Sequence, residues 1–198
     1  MLVIGNGESR KFLDLSQINR NKVACNAAHR DLKVDHLVCV DRKTLEEAVS
    51  KHNRIYTRTQ WLGRYKDHNN VFPVPDLPYS GIQRWDDAWH WGSGPYAMLL
   101  AAQLTTINRV DVVGFDLYSK NNRVNNVYKG TKNYAAENKA AVDPRYWIYQ
   151  ISKVFEIYNN TEFVIHQPED WEQPTSWKKS NVFVDRVNML QYNVTKRT

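Results

Sequence analysis

The sequence lacks the features that mark several large classes of protein. Its 198 residues include only two cysteines, Cys25 and Cys39, which excludes a small secreted fold held by several disulfides. Both lie in apolar runs, which predicts buried, reduced thiols and a cytoplasmic location, with a disulfide between neighbouring strands as the alternative. No apolar run approaches the roughly 20 residues of a membrane span, and residues 1–4 lack the basic and long apolar regions of a signal peptide. We therefore expect neither membrane insertion nor export.

A strong excess of one charge is also missing. Lys and Arg number 27 against 21 Asp and Glu, a formal net charge of +6 that is scattered along the chain. This mild bias favours anionic ligands such as nucleotides and argues against a dedicated nucleic-acid function. Hydrophobic residues make up 42% and charged residues 24% of the chain, as in folded globular proteins. We expect a single domain over residues 1–198, with a homo-oligomer as one state it could adopt.

Short apolar runs that end in polar residues or glycine recur along the chain. They predict strands at 2–4, 22–26, 36–41, 54–57, 110–114 and 162–166. Helical patterns near 45–49, 93–104 and 143–158 alternate with these strands, and Ser93 is the expected N-cap of the second helix. The alternation predicts an α/β protein: a three-layer, Rossmann-like domain with a mainly parallel sheet and a small lid or insertion.

Two segments interrupt this alternation. Residues 58–91 are rich in tryptophan and proline, too apolar for a linker and too broken for regular elements, so we expect an ordered insertion that roofs a pocket. Residues 119–142 are rich in Asn, Lys and Gly and predict a mobile lid loop. The tail at 167–198 follows the last predicted strand and is assigned to no element.

Two turns have the composition of anion-binding sites. The turn Gly5-Asn6-Gly7-Glu8-Ser9 follows the first strand, and its glycines would let backbone N–H groups approach a phosphate. Ser93 and Gly94 begin a helix whose N-terminus offers similar donors. The alternatives are an ordinary strand-to-helix turn and a capped helix. Asp41 and Asp116 follow predicted strands, where they would act as acid, base or hydroxyl ligand, or simply as helix caps.

The sequence contains no recognisable metal motif. Its six histidines and two cysteines lack the spacings that zinc sites use, and it has no Asp-x-Asp pair for a divalent ion bound with a sugar nucleotide. We therefore expect no metal and no cofactor.

Four segments, in order and in approximate spacing, resemble the bacterial sialyltransferases of glycosyltransferase family 42. They are Val3–Ser9, Cys25–Asn26, Ser93–Gly94 and Val112–Tyr118. The resemblance covers most of residues 1–165 and leaves 58–91 unmatched. It implies a Rossmann-like domain with a small lid that transfers sialic acid from CMP-sialic acid without a metal.

The resemblance also implies roles for individual residues. Asn6 and Asn26 would contact the nucleotide, while Ser93 and Gly94 would lie near its cytidine and phosphate. Tyr118 and Tyr128 would donate hydrogen bonds to the departing phosphate, where negative charge develops in the transition state. With the turn residues, the expected binding set is Gly5, Asn6, Gly7, Ser9, Asn26, Ser93, Gly94 and Asp116.

One residue of the family pattern is missing. The family has a histidine as general base just before the helix that precedes the last strand, but here residues 141–146 contain none. Asp143 and His90 are the candidates to replace it. We expect a metal-independent glycosyltransferase with a CMP-type nucleotide sugar as donor and an acceptor that the sequence does not specify.

Two other functions remain as alternatives. One is a different nucleotide-dependent transferase, such as a pyrophosphokinase relative, because such proteins share the Gly-Asn-Gly-x-Ser start and would need magnesium. The other is a non-catalytic binding protein that uses residues 61–91 as its contact surface.

Overall fold

The computed structural model describes residues 1–119 and 121–186, and a single sheet of eight parallel strands organises them. The strands are β1 (Leu2–Ile4), β2 (Lys22–Cys25), β3 (His36–Val38), β4 (Ile55–Thr57), β5 (Val71–Pro73), β6 (Arg109–Val113), β7 (Glu162–Gln167) and β8 (Val182–Arg186). Their order across the sheet is β5-β4-β3-β2-β1-β6-β7-β8. The predicted α/β class with a Rossmann-like parallel sheet is confirmed.

Helices and turns cover the two faces of the sheet. The α-helices are α1 (Arg42–Ala48), α2 (Thr59–Leu62), α3 (Ser93–Leu104) and α4 (Arg145–Ile157). In β1, Val3 belongs to the core that contains α3 and α4, whereas Leu2 and Ile4 belong to the core that contains α1. Interior strands are thus buried on both faces, which is why they read as continuous apolar runs in the sequence.

Two edge strands, β5 and β8, were not predicted from the sequence. β5 lies inside the segment predicted as an insertion and extends the sheet beyond β4, while β8 lies in the unassigned tail and pairs with β7. Both are at the sheet's edges, where few side chains are buried, so neither produces a strong apolar run. The remainder of the tail, residues 187–198, and Lys120 of the expected lid lie outside the described residues.

The segment predicted to be a mobile lid is tied to the domain by several contacts; we call residues 121–142 the arm. Tyr128 is buried, and its hydroxyl contacts the side chains of Arg10 and Asp31. The N–H of Val127 donates to the Asn6 carbonyl at 2.8 Å. Arg30 donates to the Lys132 carbonyl and pairs with Glu47. The arm is therefore held against the carboxyl ends of β1 and β2.

Both cysteines are buried and free, as predicted. Burial raises the pKa of the Cys25 thiol to about 12, so this thiol stays protonated at neutral pH. Within the part of the chain that the structure describes, no helix has the length and apolar character needed to cross a bilayer.

A buried carboxylate, Asp111 in β6, is surrounded by basic side chains. Arg109 Nη2 lies 3.0 Å and His166 Nε2 lies 2.9 Å from its oxygens, and Arg20 also contacts it. Burial disfavours its ionised form, but hydrogen bonds from His166 and Arg109 outweigh burial, so the pKa of Asp111 lies well below its ordinary value. Asp111 therefore stabilises the fold above its unfolded pKa of about 3.9, and this stabilisation is lost as the pH falls toward the folded pKa.

We expect Asp111→Asn to lower the free energy of unfolding at pH 7 by about 2–3 kcal/mol. This is less than the loss of about 3–5 kcal/mol for a fully buried pair, because the Arg20 and Arg109 side chains are 53% and 43% exposed and can return to water. Urea unfolding at pH 7 and at pH 3 measures the effect, which should shrink at the lower pH. The control is Asp185→Asn, whose side chain is 56% exposed and should cost at most about 1 kcal/mol. Equal losses in the two variants would contradict the prediction.

Candidate functional site

A cavity opens where the chain reverses direction across the sheet. From β1 the chain runs outward through β2 to β5 on one side and returns to β6 on the other, and ligands of such sheets bind at the carboxyl ends of the strands at this point. The cavity measures about 300 Å³. Eight predicted site residues line it: Gly5, Asn6, Gly7, Asn26, His90, Ser93, Gly94 and Asp116. The structure thus brings the first glycine turn and the start of α3 to one place.

A polar junction joins the ends of β2 and β3 to the start of α3. Asn26 has a left-handed backbone, with φ of 53°, and its Oδ1 accepts a hydrogen bond from Ser93 Oγ at 2.8 Å. Ser93 Oγ in turn accepts from the Val40 N–H at 3.1 Å. The predicted N-cap role of Ser93 is wrong, because its hydroxyl is used in this junction and Gly92 is the N-cap of α3. The junction leaves Asn26 Nδ2 without a partner among the described residues.

Most backbone N–H groups of the first glycine turn are used within the fold, and only that of Asn6 makes no hydrogen bond among the described residues. The N–H groups of Gly5 and Gly7 donate to the carbonyls of Val113 and Gly114, each at 2.8 Å. The next two N–H groups donate to the side chains of Asn125 and Asp116. The expected following helix is a short 3-10 turn over Glu8–Phe12. The glycines serve instead to let the chain segments after β1 and β6 approach each other.

The N-terminus of α3 supplies the free backbone donors. Ser93 and Gly94 line the cavity, and their N–H groups make no hydrogen bond within residues 1–119 and 121–186. Because α3 is 12 residues long, the dipole of its aligned peptides favours an anion at this end.

A buried acceptor belongs to a residue that lines the same cavity. Asn6 is 8% exposed, and its Nδ2 donates to the Cys25 carbonyl at 3.2 Å. Its Oδ1 is buried and has no donor within the described ranges. A buried amide oxygen without a partner costs about 1–3 kcal/mol. Because Asn6 Oδ1 has almost no accessible surface, a ligand N–H or O–H would remove that cost only after the amide turned toward the cavity.

Asp116 has a structural role in this arrangement. Its carboxylate accepts hydrogen bonds from the N–H and the hydroxyl of Ser9. Burial raises the pKa of Asp116, and the bonds from Ser9 oppose this rise. Asp116 therefore holds the first turn in place, and Ser9 binds Asp116 rather than lining the cavity.

The cavity has an aromatic and cationic wall that the sequence analysis did not identify as part of a site. Tyr146 and Trp147, in the first turn of α4, line one side. Burial raises the pKa of Tyr146 to about 12, which leaves a neutral phenol at neutral pH. Arg58 lies on the other side, where its guanidinium donates to the carbonyls of Val40 and Trp91 at 3.2 and 3.0 Å. Burial lowers the pKa of Arg58.

His90 reaches the cavity from a short 3-10 turn over Ala88–His90. The fully buried Gln150 of α4 fixes this segment: its Nε2 donates to the His90 carbonyl at 3.0 Å, and its Oε1 accepts from the Gly92 N–H at 3.4 Å. His90 Nε2 accepts a hydrogen bond from Arg84 Nε at 3.4 Å.

Three further candidates do not line the cavity. Asp143 is exposed and paired with Arg145, and the hydrogen bonds from Arg145 lower the pKa of Asp143. Tyr118 is 41% exposed, and the Tyr128 hydroxyl is engaged by Arg10 and Asp31. The structure therefore places His90, and not Asp143, beside the predicted binding residues, and neither tyrosine lies in the cavity wall.

The fold and the site together define a Rossmann-like α/β protein with a ligand-sized crevice at the reversal point of its sheet. No family model matches the chain, and comparisons with curated proteins and with solved structures find no match. Within the described ranges, no three His, Cys, Asp or Glu side chains are grouped closely enough to hold a metal ion.

Proposed function

We propose that this chain is a metal-independent glycosyltransferase that binds a nucleotide-activated sugar, of the CMP type, in the cavity between β1 and β6. The observation that carries the proposal is that three residue groups line one crevice: Ser93 and Gly94 at the start of α3, Asn6 with its unpartnered Oδ1, and His90. A nucleotide sugar has a phosphate for the helix N-terminus and hydrogen-bond donors for the asparagine. Its transfer to an acceptor needs a proton acceptor, which the histidine would provide.

Each part of the nucleotide sugar has a matching group in the cavity wall. The phosphate would lie at the N-terminus of α3, where the dipole and the N–H groups of Ser93 and Gly94 favour negative charge. A ribose hydroxyl or a base amino group would donate to Asn6 Oδ1 once the amide had turned toward the cavity. Since about 300 Å³ is at the small end of the range for ligand sites, the cavity would take the nucleotide and leave the sugar near its rim.

His90 would accept the proton in the transfer step. The acceptor hydroxyl oxygen would form a bond to the anomeric carbon as the bond from that carbon to the phosphate oxygen breaks. The hydroxyl proton would pass to His90, and the nucleotide monophosphate would leave with the bonding electron pair. Charge on the leaving phosphate would be stabilised by the α3 N-terminus.

Nucleotide binding is the first test. We expect CMP to stabilise the protein by about 2.7 kcal/mol at 100 times its dissociation constant, which a thermal shift assay detects. UDP, GDP and ATP with magnesium should have smaller effects. Asn26→Gly should weaken CMP binding about tenfold, because it keeps the left-handed backbone but removes the amide.

The control variant is Asn19→Ala, which changes an exposed asparagine outside the cavity and should bind CMP normally. Stabilisation by ATP with magnesium alone would point to the pyrophosphokinase-like alternative. If no nucleotide stabilises the protein, the proposed function is wrong.

A further inference from the structure

A large aromatic side chain lies exposed next to the cavity. Trp89 is 42% exposed, although the neighbouring Trp91 is fully buried. Two of its neighbours line the cavity: His90 follows it in the chain, and the Arg58 guanidinium lies 4.9 Å from the centre of its ring. The exposed indole therefore begins one side chain away from the proposed donor site.

Hydrogen bonds hold the backbone around this indole, and a second tryptophan packs against its ring. The Trp89 N–H donates to Asp87 Oδ1 at 2.8 Å, and the Tyr96 hydroxyl donates to the preceding Ala88 carbonyl at 3.2 Å. The ring of Trp61 packs against Trp89 with centroids 6.1 Å apart, and Trp61 Nε1 donates to the Val40 carbonyl. Because the ring is already ordered, a ligand that stacks on it would lose little side-chain entropy from the protein.

Polar groups surround the exposed indole. Arg84 is exposed and has no carboxylate partner in the described part of the chain, and one oxygen of the exposed Asp87 carboxylate accepts no hydrogen bond. A guanidinium and a carboxylate beside an aromatic face suit a ring with apolar C–H faces and hydroxyls around its edge. A pyranose ring has this character.

We propose that Trp89 is the stacking platform of a carbohydrate-acceptor subsite, with Arg84 and Asp87 bonding the sugar hydroxyls. The inference rests on the proposed glycosyl transfer, because it names the class of acceptor and the direction from which it approaches His90. A sugar stacked on Trp89 would present a hydroxyl toward the neighbouring imidazole.

The test follows the seven tryptophan indole N–H signals by NMR. Trp89→Phe assigns the Trp89 signal by its loss. The probes are lactose, maltose, cellobiose and N,N′-diacetylchitobiose, each added with and without CMP. We expect at least one disaccharide to shift the Trp89 signal, and Trp89→Ala to weaken its binding about tenfold while CMP affinity stays within about twofold of the wild-type value.

The matched control is Phe183→Ala, since Phe183 is a comparably exposed aromatic residue, at 49%, on the edge strand β8. It should leave disaccharide binding unchanged. The proposal is overturned if the protein binds CMP but no disaccharide shifts the Trp89 signal, or if the cytosine of CMP itself stacks on Trp89. If a disaccharide binds at Trp89 but no nucleotide binds, the platform stands and the proposed transfer fails.

Discussion

Replacing His90 with alanine is expected to slow the release of CMP from CMP-sialic acid by about 10²- to 10⁴-fold, the usual contribution of a general base. The expectation follows from position: His90 is the one histidine on the cavity wall in the described residues, and Gln150 and the Asp87 carbonyl fix its backbone. Water replaces the acceptor in this assay, so no acceptor need be known. Chromatography of free CMP measures the rate.

The control for this variant is His68→Ala, which removes an exposed histidine outside the cavity and should leave the rate unchanged. CMP affinity should also be unchanged in His90→Ala, because the proposed nucleotide contacts are the α3 N-terminus and the two asparagines. If Asp143→Asn slows the reaction while His90→Ala does not, the base has been assigned to the wrong residue.

The central strands could be predicted from the sequence because burial on both faces leaves a continuous apolar run. Leu2–Ile4 in β1 is such a run, and its position beside β6 follows from the rules for parallel sheets. Val71–Pro73 and Val182–Arg186 could not be recognised, since edge strands need fewer buried side chains. Their residues are mostly exposed or partly exposed.

The candidate site could be located from the sequence more easily than its chemistry could be described. The carboxyl ends of parallel strands meet at one edge, so Asn6, Asn26 and Ser93 could be expected to converge. The role of the glycines could not be predicted. A glycine that lets a phosphate approach and a glycine that lets another backbone approach look the same in a sequence. Tyr146 and Trp147 fitted an amphipathic helix, and only the packing of α4 shows that they face a cavity.

The same glycine turn yields the largest expected effect on stability. We expect Gly5→Ala to lower the free energy of unfolding by about 3 kcal/mol, at the upper end of the cost of overpacking. A Cβ at Gly5 would lie 2.3 Å from the Gly114 carbonyl oxygen and 2.8 Å from the Phe115 ring. Backbone cannot rotate away as a side chain can, so the hydrogen bonds from Gly5 and Gly7 to β6 and its following loop would have to lengthen.

Thermal unfolding measures this effect, and about 3 kcal/mol corresponds to a fall of about 6–12 °C in Tm for a chain of this size. Gly63→Ala is the matched control: no atom lies within 4 Å of a Cβ added there, and φ is −56°. It should be neutral or stabilise the protein by about 0.4–1 kcal/mol, because alanine restricts the unfolded chain. A Gly5→Ala variant as stable as Gly63→Ala would mean that the segments after β1 and β6 do not touch. The cavity wall that these two segments form would then be described wrongly.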